Sequence, residues 1–224
     1  MAKEQEKNET LNLDRSVRLA IETEEMPWEN SPSPGVWRKK LEREAAESGQ
    51  VTSVVRYAPN SHFSAHLHPG GEEIFVLSGV FGDEHGLYPA GTYLRNPPGT
   101  RHAPACEAGC ELLVKLNMFG SEDLEPVCIN TRTAQWLPGL VPGLEVMPLH
   151  SHKTENTALV RWAPGTIFKP HAHPGGEEIF VLSGVFEDEL GVYPQGTWLR
   201  NPSYSQHHPF SREGCTIFVK TGHI

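Results

Sequence analysis

The sequence of 224 residues predicts an all-β protein built from two tandem β-barrels of the same kind. The first observation is an internal repeat, because the letters HPGGEEIFVLSGVF stand at 68–81 and again, unchanged, at 173–186. The second is that each repeat consists of short runs rich in Val, Ile, Phe, Leu and Tyr, separated by Gly and Pro turns. Evenly spaced short strands are typical of a β-sandwich or barrel. A repeat this long is a whole domain.

The repeat continues on both sides of the identical segment and sets the domain boundaries. A displacement of 105 residues, from 68 to 173, also aligns LRNP at 94–97 with LRNP at 199–202. We therefore predict an N-terminal arm over residues 1–22, a first barrel domain over 23–124 and a second over 125–224.

Two segments outside the aligned repeat carry local structure of their own. Over 17–22, apolar Val, Leu and Ile alternate with Arg, Ala and Glu, which predicts an extra strand on a sheet edge. The segment Trp37 to Ser48 is highly charged and fits either a short helix or a strand followed by a loop.

Composition excludes several classes of protein. The hydrophobic fraction of 38% and charged fraction of 21% are typical of a globular domain, and no apolar run is long enough to span a membrane. The N-terminus MAKEQEKNET lacks the apolar stretch of a secretory signal, so we expect a cytoplasmic protein. A net charge of −9 argues against direct binding to nucleic acid. The four cysteines form no Cys-x-x-Cys pair, and we expect reduced, mostly buried thiols.

A set of three histidines and one glutamate occurs once in each repeat. Two of the histidines are separated by one residue, so on a strand their side chains lie on the same face, about 6.6 Å apart. The glutamate follows a Pro-Gly-Gly turn, and the third histidine follows a second turn. The members are His66, His68, Glu72 and His102 in the first repeat and His171, His173, Glu177 and His207 in the second.

Imidazole and carboxylate ligands together suit Zn²⁺, Mn²⁺, Fe²⁺, Ni²⁺ or Co²⁺ better than Ca²⁺ or Mg²⁺. The four residues before the last histidine differ between 98–101 and 203–206, whereas the histidine does not. The sequence therefore predicts two divalent metal ions per chain, one in each repeat. Glu73 and Glu178 are rival ligands, and strand parity leaves the choice open because both faces of the following strand are apolar.

The pattern of these residues resembles a known family. His-x-His, three residues, Glu, six residues and Gly resembles the first motif of the cupins, here ending at Gly79 and Gly184. The second cupin motif matches loosely, since the last histidine lies further from its Pro-x-Gly. The stretch HPGGEEIFVLSGVFxDExGxYPxGTxLRNP is similar to the ChrR subgroup, the zinc-binding cupin half of anti-sigma factors. This resemblance covers residues from about 28 to 222.

The resemblance implies a fold, a ligand set and a role. The fold is the double-stranded β-helix, or jelly roll, and the ligating carboxylates are Glu72 and Glu177. Zinc is the favoured ion, with iron, manganese and nickel as alternatives. The implied role is regulation or sensing, with a sigma factor or another regulatory protein as partner. The family's helical sigma-binding domain, with its zinc-binding histidine and Cys-x-x-Cys, has no counterpart in this sequence, which has no cysteine before Cys106.

A second hypothesis is a metal-dependent cupin enzyme, such as a dioxygenase acting on a small organic molecule, since four protein ligands leave positions open on the ion. A storage module for metal or a small molecule is a third, and a homodimer fits each of them. Three recurring pairs are candidates for an acid or base, but salt bridges and core packing explain them equally well, so no catalytic residue is assigned. These pairs are Arg95 with Arg200, Tyr88 with Tyr193, and Glu73 with Glu178.

Overall fold

The computed structural model describes residues 10–45 and 48–224, and these form strands joined by turns, with one 3-10 turn at Thr23–Glu25. The first thirteen strands are β1 (Leu19–Glu22), β2 (Glu29–Asn30), β3 (Val36–Arg43), β4 (Val51–Tyr57), β5 (Ser61–His62), β6 (His66–Leu67), β7 (Glu72–Asp83), β8 (Gly86–Pro89), β9 (Thr92–Asn96), β10 (Arg101–His102), β11 (Ala105–Cys106), β12 (Cys110–Leu116) and β13 (Val127–Asn130). The others are β14 (Leu137–Pro138), β15 (Leu144–His152), β16 (Glu155–Trp162), β17 (Thr166–Ile167), β18 (His171–Ala172), β19 (Glu177–Asp188), β20 (Gly191–Pro194), β21 (Thr197–Asn201), β22 (Gln206–His207), β23 (Phe210–Ser211) and β24 (Cys215–Thr221).

Both units contain the same antiparallel sheet. In the first unit its order is β13-β9-β7-β12-β4-β3-β2, and in the second it is β1-β21-β19-β24-β16-β15-β14. The long strands β7 and β19 come from the identical repeat segment, and each also pairs with a short strand of a second layer, β8 and β20 respectively. The prediction of an all-β chain with the same architecture in two tandem units is confirmed.

The two compact units of the structure differ from the predicted domains at two segments. The first unit holds Pro27–Arg132 together with the described residues up to Leu13. The second holds Asp14–Met26 and Thr133–Ile224. Residues 14–22 of the predicted arm therefore belong to the second unit, and residues 125–132, the start of the predicted second domain, belong to the first. Residues 1–9 of the predicted arm lie outside the described part of the chain.

Long-range strand pairing explains why each of these segments belongs to a unit other than the one predicted for it. β1 pairs with β21, with Leu19 opposite Arg200, and β13 pairs with β9, with Val127 opposite Arg95. Because Arg200 and Arg95 are repeat partners, β1 and β13 occupy equivalent edge positions. The strand expected over 17–22 is thus present on a sheet edge, and the sheet is that of the second unit.

The charged segment at 37–48 is mostly a strand. β3 runs from Val36 to Arg43 and pairs along its length with β4, while residues 46 and 47 lie outside the described part of the chain. In β3 several charged side chains are buried or half-buried, which obscures the alternation that would identify a strand from the sequence. Within the described residues, no helix is long and apolar enough to cross a membrane.

The glycine of the repeated motif is required by a close backbone approach. Gly79 has φ +72°, and a Cβ there would lie 2.0 Å from the carbonyl oxygen of Gly109. Gly184 has φ +71° and would meet Gly214 at the same distance. A side chain at either position would force β7 or β19 away from the next strand of its sheet, so only glycine fits. This contact helps to hold in place the long strand that carries the glutamate of each site.

Candidate metal centres

The four predicted ligands of the first repeat converge in the structure. β6 and β10 pair with His66 opposite His102, His68 follows β6 directly, and Glu72 is the first residue of β7. One ligand atom of each residue lies within 4.8 Å of the others. His68, Glu72 and His102 are buried, and His66 is half-buried.

The imidazole atoms at the centre of this cluster lack ordinary partners. Glu72 Oε2 lies 3.4 Å from His68 Nε2 and 3.3 Å from His102 Nε2. Both Nε2 atoms are buried, and neither makes a hydrogen bond to the described residues. A buried polar nitrogen left in this way is costly unless something binds it. A divalent cation would satisfy both nitrogens and the carboxylate together, so the donor set fits a metal ion.

The remaining ring nitrogens fix the orientation of two imidazoles. His66 Nδ1 lies 2.9 Å from the Ser64 carbonyl oxygen, and His102 Nδ1 lies 3.2 Å from Asp83 Oδ2. Because both partners are acceptors, each Nδ1 carries the hydrogen and each Nε2 presents its lone pair. This arrangement is typical of metal-ligating histidines.

The other two members of the first cluster are held by side chains from neighbouring turns and strands. His68 Nδ1 lies 3.2 Å from Thr100 Oγ1, and that hydroxyl donates its own hydrogen to the Pro97 carbonyl at 2.7 Å. Thr100 therefore accepts a hydrogen from His68, whose Nε2 again faces the cluster. Asn96 Nδ2 donates to Glu72 Oε2 at 3.0 Å and orients the carboxylate.

The second repeat brings the same residue types together, with the glutamate less tightly gathered. The ligand atoms of His171, His173 and His207 lie within 4.8 Å of one another. Glu177 lies outside that group as a whole, but its Oε1 is 3.2 Å from His173 Nε2 and its Oε2 is 3.5 Å from His207 Nε2. Asn201 Nδ2 donates to Glu177 Oε2 at 2.9 Å, as Asn96 does in the first repeat.

The outer contacts of the second cluster include one residue that the sequence did not identify. Arg18 lies next to the edge strand β1, and its Nη2 is 2.9 Å from Asp188 Oδ2. Its Nε donates to Asn201 Oδ1 at 2.9 Å, and its Nη2 donates to the Tyr193 hydroxyl oxygen at 2.6 Å. Asp188 Oδ2 is 3.7 Å from His207 Nδ1, longer than a hydrogen bond. Since the equivalent position before β13 is Pro126, no repeated arginine existed to reveal this contact.

Burial and neighbouring charges shift the pKa values of the clustered histidines. Burial, together with the nearby His171 and His207, lowers the pKa of His173 to about 4. Burial likewise lowers the pKa of His68, against the opposing effect of Glu72. These two rings are therefore neutral at neutral pH, which is the form that binds metal. For His207 burial acts in the same direction, but Asp188 and Glu177 outweigh it and raise its pKa.

The rival glutamates are engaged elsewhere. Glu73 accepts hydrogen bonds from Tyr93 and Arg95, and Glu178 accepts one from Trp198 Nε1 at 2.7 Å. The structure thus places Glu72 and Glu177, rather than their neighbours, beside the histidines.

The other recurring pairs also have structural partners. Tyr88 and Tyr193 donate to Asp83 and Asp188 at 3.0 Å and 2.7 Å. Arg95 pairs with Glu73 and Asp123, and Arg200 donates to the Asp14 carbonyl oxygen.

A cavity adjoins each cluster. In the first unit it has a volume of about 90 Å³ and is lined by His66, Glu72 and the inner residues of β3, β4 and β12. In the second unit it has a volume of about 160 Å³, and all four predicted ligands line it. An ion held by these side chains would face a cavity large enough for a small molecule.

Comparisons with known proteins agree with this architecture. The model of the ChrR cupin-like domain matches residues 16–120 and again residues 124–224. The first match begins at β1 and the second just before β13, so each repeat of the sequence includes one edge strand. No curated protein matches the chain at a significant level.

Solved structures share the fold at low sequence identity. A candidate dioxygenase from Nostoc punctiforme is 18% identical, with a TM-score of 0.78 over 93% of this chain and 83% of its own. A protein of Pseudomonas aeruginosa, provisionally described as glyoxylate-induced, is 13% identical, with a TM-score of 0.75 over 96% and 91%.

The Bacillus subtilis oxalate decarboxylase, which has Mn(II) centres, is 15% identical, with a TM-score of 0.64 over 91% of this chain and 76% of its own. At these identities the likeness shows the fold alone. The two matches to the family model cover most of the chain, and this protein belongs to the ChrR cupin-like family, of which it carries two domains in tandem.

Proposed function

We propose that this protein binds two divalent metal ions, one in each barrel, and uses them to bind and act on a small organic molecule. The observation that carries the proposal is the pair of buried Nε2 atoms of His68 and His102, which make no hydrogen bond to the described residues, beside Glu72, which itself lines a cavity. Three imidazoles and one carboxylate leave coordination positions open for an incoming molecule. This favours the enzyme hypothesis over a purely structural ion, whose protein ligands would close its coordination shell.

The residues around each ion have distinct tasks in this proposal. When bound, an ion held by these residues would supply Lewis-acid chemistry. Asp83, Thr100 and Ser64 hold the three imidazoles of the first barrel with Nε2 turned inward, and Asn96 holds the carboxylate of Glu72. The apolar residues that β4, β7 and β12 contribute to the cavity wall lower the local dielectric, which strengthens electrostatic interactions beside them.

The identity of the ion separates the kinds of chemistry. We expect zinc, which the ChrR resemblance favours and which excludes redox steps on the metal. Iron or manganese would instead favour oxygen chemistry or another reaction of the type named for the structural neighbours. Elemental analysis of protein purified without added metal distinguishes these outcomes.

Open coordination is testable with a spectroscopic ion. In protein loaded with Co²⁺ at both sites, azide should change the visible d–d absorption, because azide enters an open position. Protein loaded in the same way but with His66→Ala and His171→Ala should bind less Co²⁺ and show a correspondingly smaller change. An unchanged spectrum in fully loaded wild-type protein would contradict a site that binds external ligands.

A second candidate function rests on the family itself. The ChrR cupin-like model matches both halves of the chain, and the sequence resembles the cupin half of anti-sigma factors. On this proposal the cupin pair senses a ligand or oxidant and signals to a regulatory protein. Co-purification with the extracytoplasmic-function sigma factors of the same genome tests it. No association in either reduced or oxidised samples would discard it.

A further inference from the structure

The cavity of the second barrel contains a buried hydrogen-bond donor without a partner among the described residues. Trp162 lines this cavity and is 6% exposed. Its indole Nε1 is buried and makes no hydrogen bond to the described residues. The indole N–H can donate a hydrogen but cannot accept one. A buried donor in this state is costly to the fold unless a bound acceptor takes its hydrogen.

The immediate neighbours of Trp162 are hydrophobic. Strand pairing places Trp162 between Leu144 and Cys215, and its ring lies edge-on to Phe186 with 5.7 Å between the ring centroids. All four residues belong to the hydrophobic core of the second unit. A buried water normally makes about three hydrogen bonds. These surroundings therefore favour an organic molecule over a water as the partner of the indole.

The indole lies far along the sheet from the predicted ligand Glu177. Thr221 is opposite Glu177 in the strand pairing, whereas Trp162 is opposite Cys215. Residues 215–221 of β24 span roughly 20 Å of extended strand. Apart from Trp162, Thr221 and the predicted ligands, the described residues that line the cavity are hydrophobic. Besides Leu144, they are Val160, Phe168, Phe186, Pro209, Ile217 and Val219.

The size and lining of this cavity limit the molecule that fits. Its volume is about 160 Å³, and apolar protein cavities of about 150 Å³ bind molecules of the size of benzene. The first cavity, of about 90 Å³, includes Arg38 and Arg43 in its lining, whereas no lysine or arginine is among the described residues that line the second. Transfer of a charged group into apolar surroundings is unfavourable without a partner. The second cavity therefore fits an uncharged molecule with a single ring.

The need for an acceptor is specific to the second barrel. The repeat partner of Trp162 is Tyr57, which lines the first cavity. A phenol hydroxyl can both donate and accept a hydrogen, whereas an indole N–H can only donate one. The exchange of Tyr for Trp therefore restricts the second barrel to a ligand that brings an acceptor.

We propose that the second barrel binds a small uncharged organic molecule with one apolar ring and one acceptor oxygen, such as a cyclic ketone. The oxygen accepts the hydrogen of Trp162 Nε1, and the ring packs against the hydrophobic wall that includes Phe168 and Ile217. This assignment goes beyond the proposed metal-binding function, because neither contact involves the ion.

Nuclear magnetic resonance of the zinc-loaded full-length chain tests the proposal with cyclohexanone as the probe. Methylenecyclohexane is the matched probe, because it has the same shape and no acceptor oxygen. Cyclohexanone should move the Trp162 indole proton downfield, and this resonance is identified by its absence from the Trp162→Phe variant. Methylenecyclohexane should cause no such downfield shift and should bind roughly twofold to tenfold more weakly, because it lacks the hydrogen bond. The methyl resonances of Val219 and Ile217 report both affinities.

Trp162→Phe removes the donor and keeps an aromatic side chain. Cyclohexanone should then lose its advantage over methylenecyclohexane. Tyr57→Phe, the matched change in the first barrel, should leave the difference between the two probes as it is in the wild type.

Val160→Phe keeps the proposal testable if Trp162→Phe fails to fold. The larger side chain occupies space in the cavity, so neither probe should move the methyl resonances of Val219 and Ile217. Val55→Phe, the same change at the repeat partner in the first barrel, should leave binding in the second barrel unchanged.

Several results would overturn the assignment. They are no binding of cyclohexanone, binding that leaves the Trp162 indole proton unshifted, and equal affinity for the two probes. Tighter binding of cyclohexanecarboxylate than of cyclohexanone in this cavity would also overturn it.

Metal content measured on the same samples separates this site from the metal-binding function. Two bound ions without cyclohexanone binding would overturn this site and leave the metal-binding function standing. A chain that takes up no ion but binds cyclohexanone at Trp162 would overturn the metal-binding function and leave this site standing.

Discussion

The two barrels carry the same four predicted ligands but support them differently. In the first, Asp83 lies within hydrogen-bonding distance of His102, at 3.2 Å. In the second, the equivalent Asp188 is 3.7 Å from His207 and is paired instead with Arg18 at 2.9 Å. The repeat thus preserved the ligands while the contacts behind them diverged. Two sites with one ligand set are therefore expected to differ in metal affinity.

The cavities beside the two sets of predicted ligands also differ in their lining residues. The first is lined by two arginines and an unsatisfied serine hydroxyl, and the second is lined by apolar residues, a tryptophan and a threonine beside its ligands. The two cavities therefore differ in the polar groups that line them, although the predicted ligands beside them are of the same residue types.

Removing one ligand from each barrel should have the largest effect. His66→Ala and His171→Ala are matched changes, and each should lower the number of bound ions from two to one. The affinity of the altered site should fall by more than the roughly hundredfold that outer contacts can contribute. Elemental analysis after dialysis measures this, and a double variant that still held two ions would refute the ligand assignment.

Arg18→Gln should lower the metal affinity of the second site and leave that of the first site unchanged. The arginine holds Asp188 and Asn201, which face His207 and Glu177, so its loss should lower metal affinity there by roughly tenfold to a hundredfold. Competition with a chromophoric chelator resolves the two sites. Arg161→Gln, the same change at an exposed pair with Glu145 in the same unit, is the control. Equal weakening of both sites would contradict the assigned role of Arg18.

Acid should destabilise the metal-free protein through its buried histidines. The pKa of His173 falls from 6.5 to about 4 on folding, so the unfolded chain binds a proton more readily. The stability it contributes is complete above the unfolded pKa and is lost as pH falls from 6.5 towards 4. His173→Gln should flatten that part of the stability curve, measured by urea unfolding at each pH.

His68→Gln is the matched change in the first barrel, where burial also lowers the pKa. This substitution should likewise make the stability of the metal-free protein depend less on pH. A wild-type stability that did not change as the pH falls below 6.5 would contradict buried, neutral imidazoles at both sites.

The smallest expected difference concerns one hydroxyl. Thr100 accepts a hydrogen bond from His68, whereas the equivalent Ser205 donates to the Pro202 carbonyl and, among the described residues, makes no hydrogen bond to His173. Thr100→Val should therefore lower the metal affinity of the first site by about tenfold or less. This is the lower end of the range for residues that hydrogen-bond a metal ligand. Ser205→Ala should leave the second site unchanged in the same chelator titration, and equal effects at both sites would remove this distinction.

Much of the fold and of the predicted ligand set followed from the sequence because both depend on local spacing. The i and i+2 histidines, the turn before each glutamate and the shared segments are short-range features, and the repeat displayed each of them twice. The choice of Glu72 over Glu73 was different. It needed the family resemblance, since both faces of β7 are apolar near its start, and the structure shows Glu73 bonded to Tyr93 and Arg95.

The features that the sequence did not reveal depend on long-range pairing or on residues present only once. The domain boundaries shifted because β1 and β13 pair with strands distant along the chain. Arg18 and Arg38 have no repeated partner, so comparison of the repeats gave them no weight. Arg43 also lies beyond a bulge in β3, which shifts the alternation that would have shown it facing the cavity.

The number of ions per chain tests the central claim most directly. Metal-free protein titrated with Zn²⁺ in a non-coordinating buffer, with protein concentration and bound metal both measured, should saturate at two ions per chain. The two ions should bind with different affinities, because the second site has Arg18 behind it. Saturation at one ion, or at none, would contradict a chain with two complete metal centres.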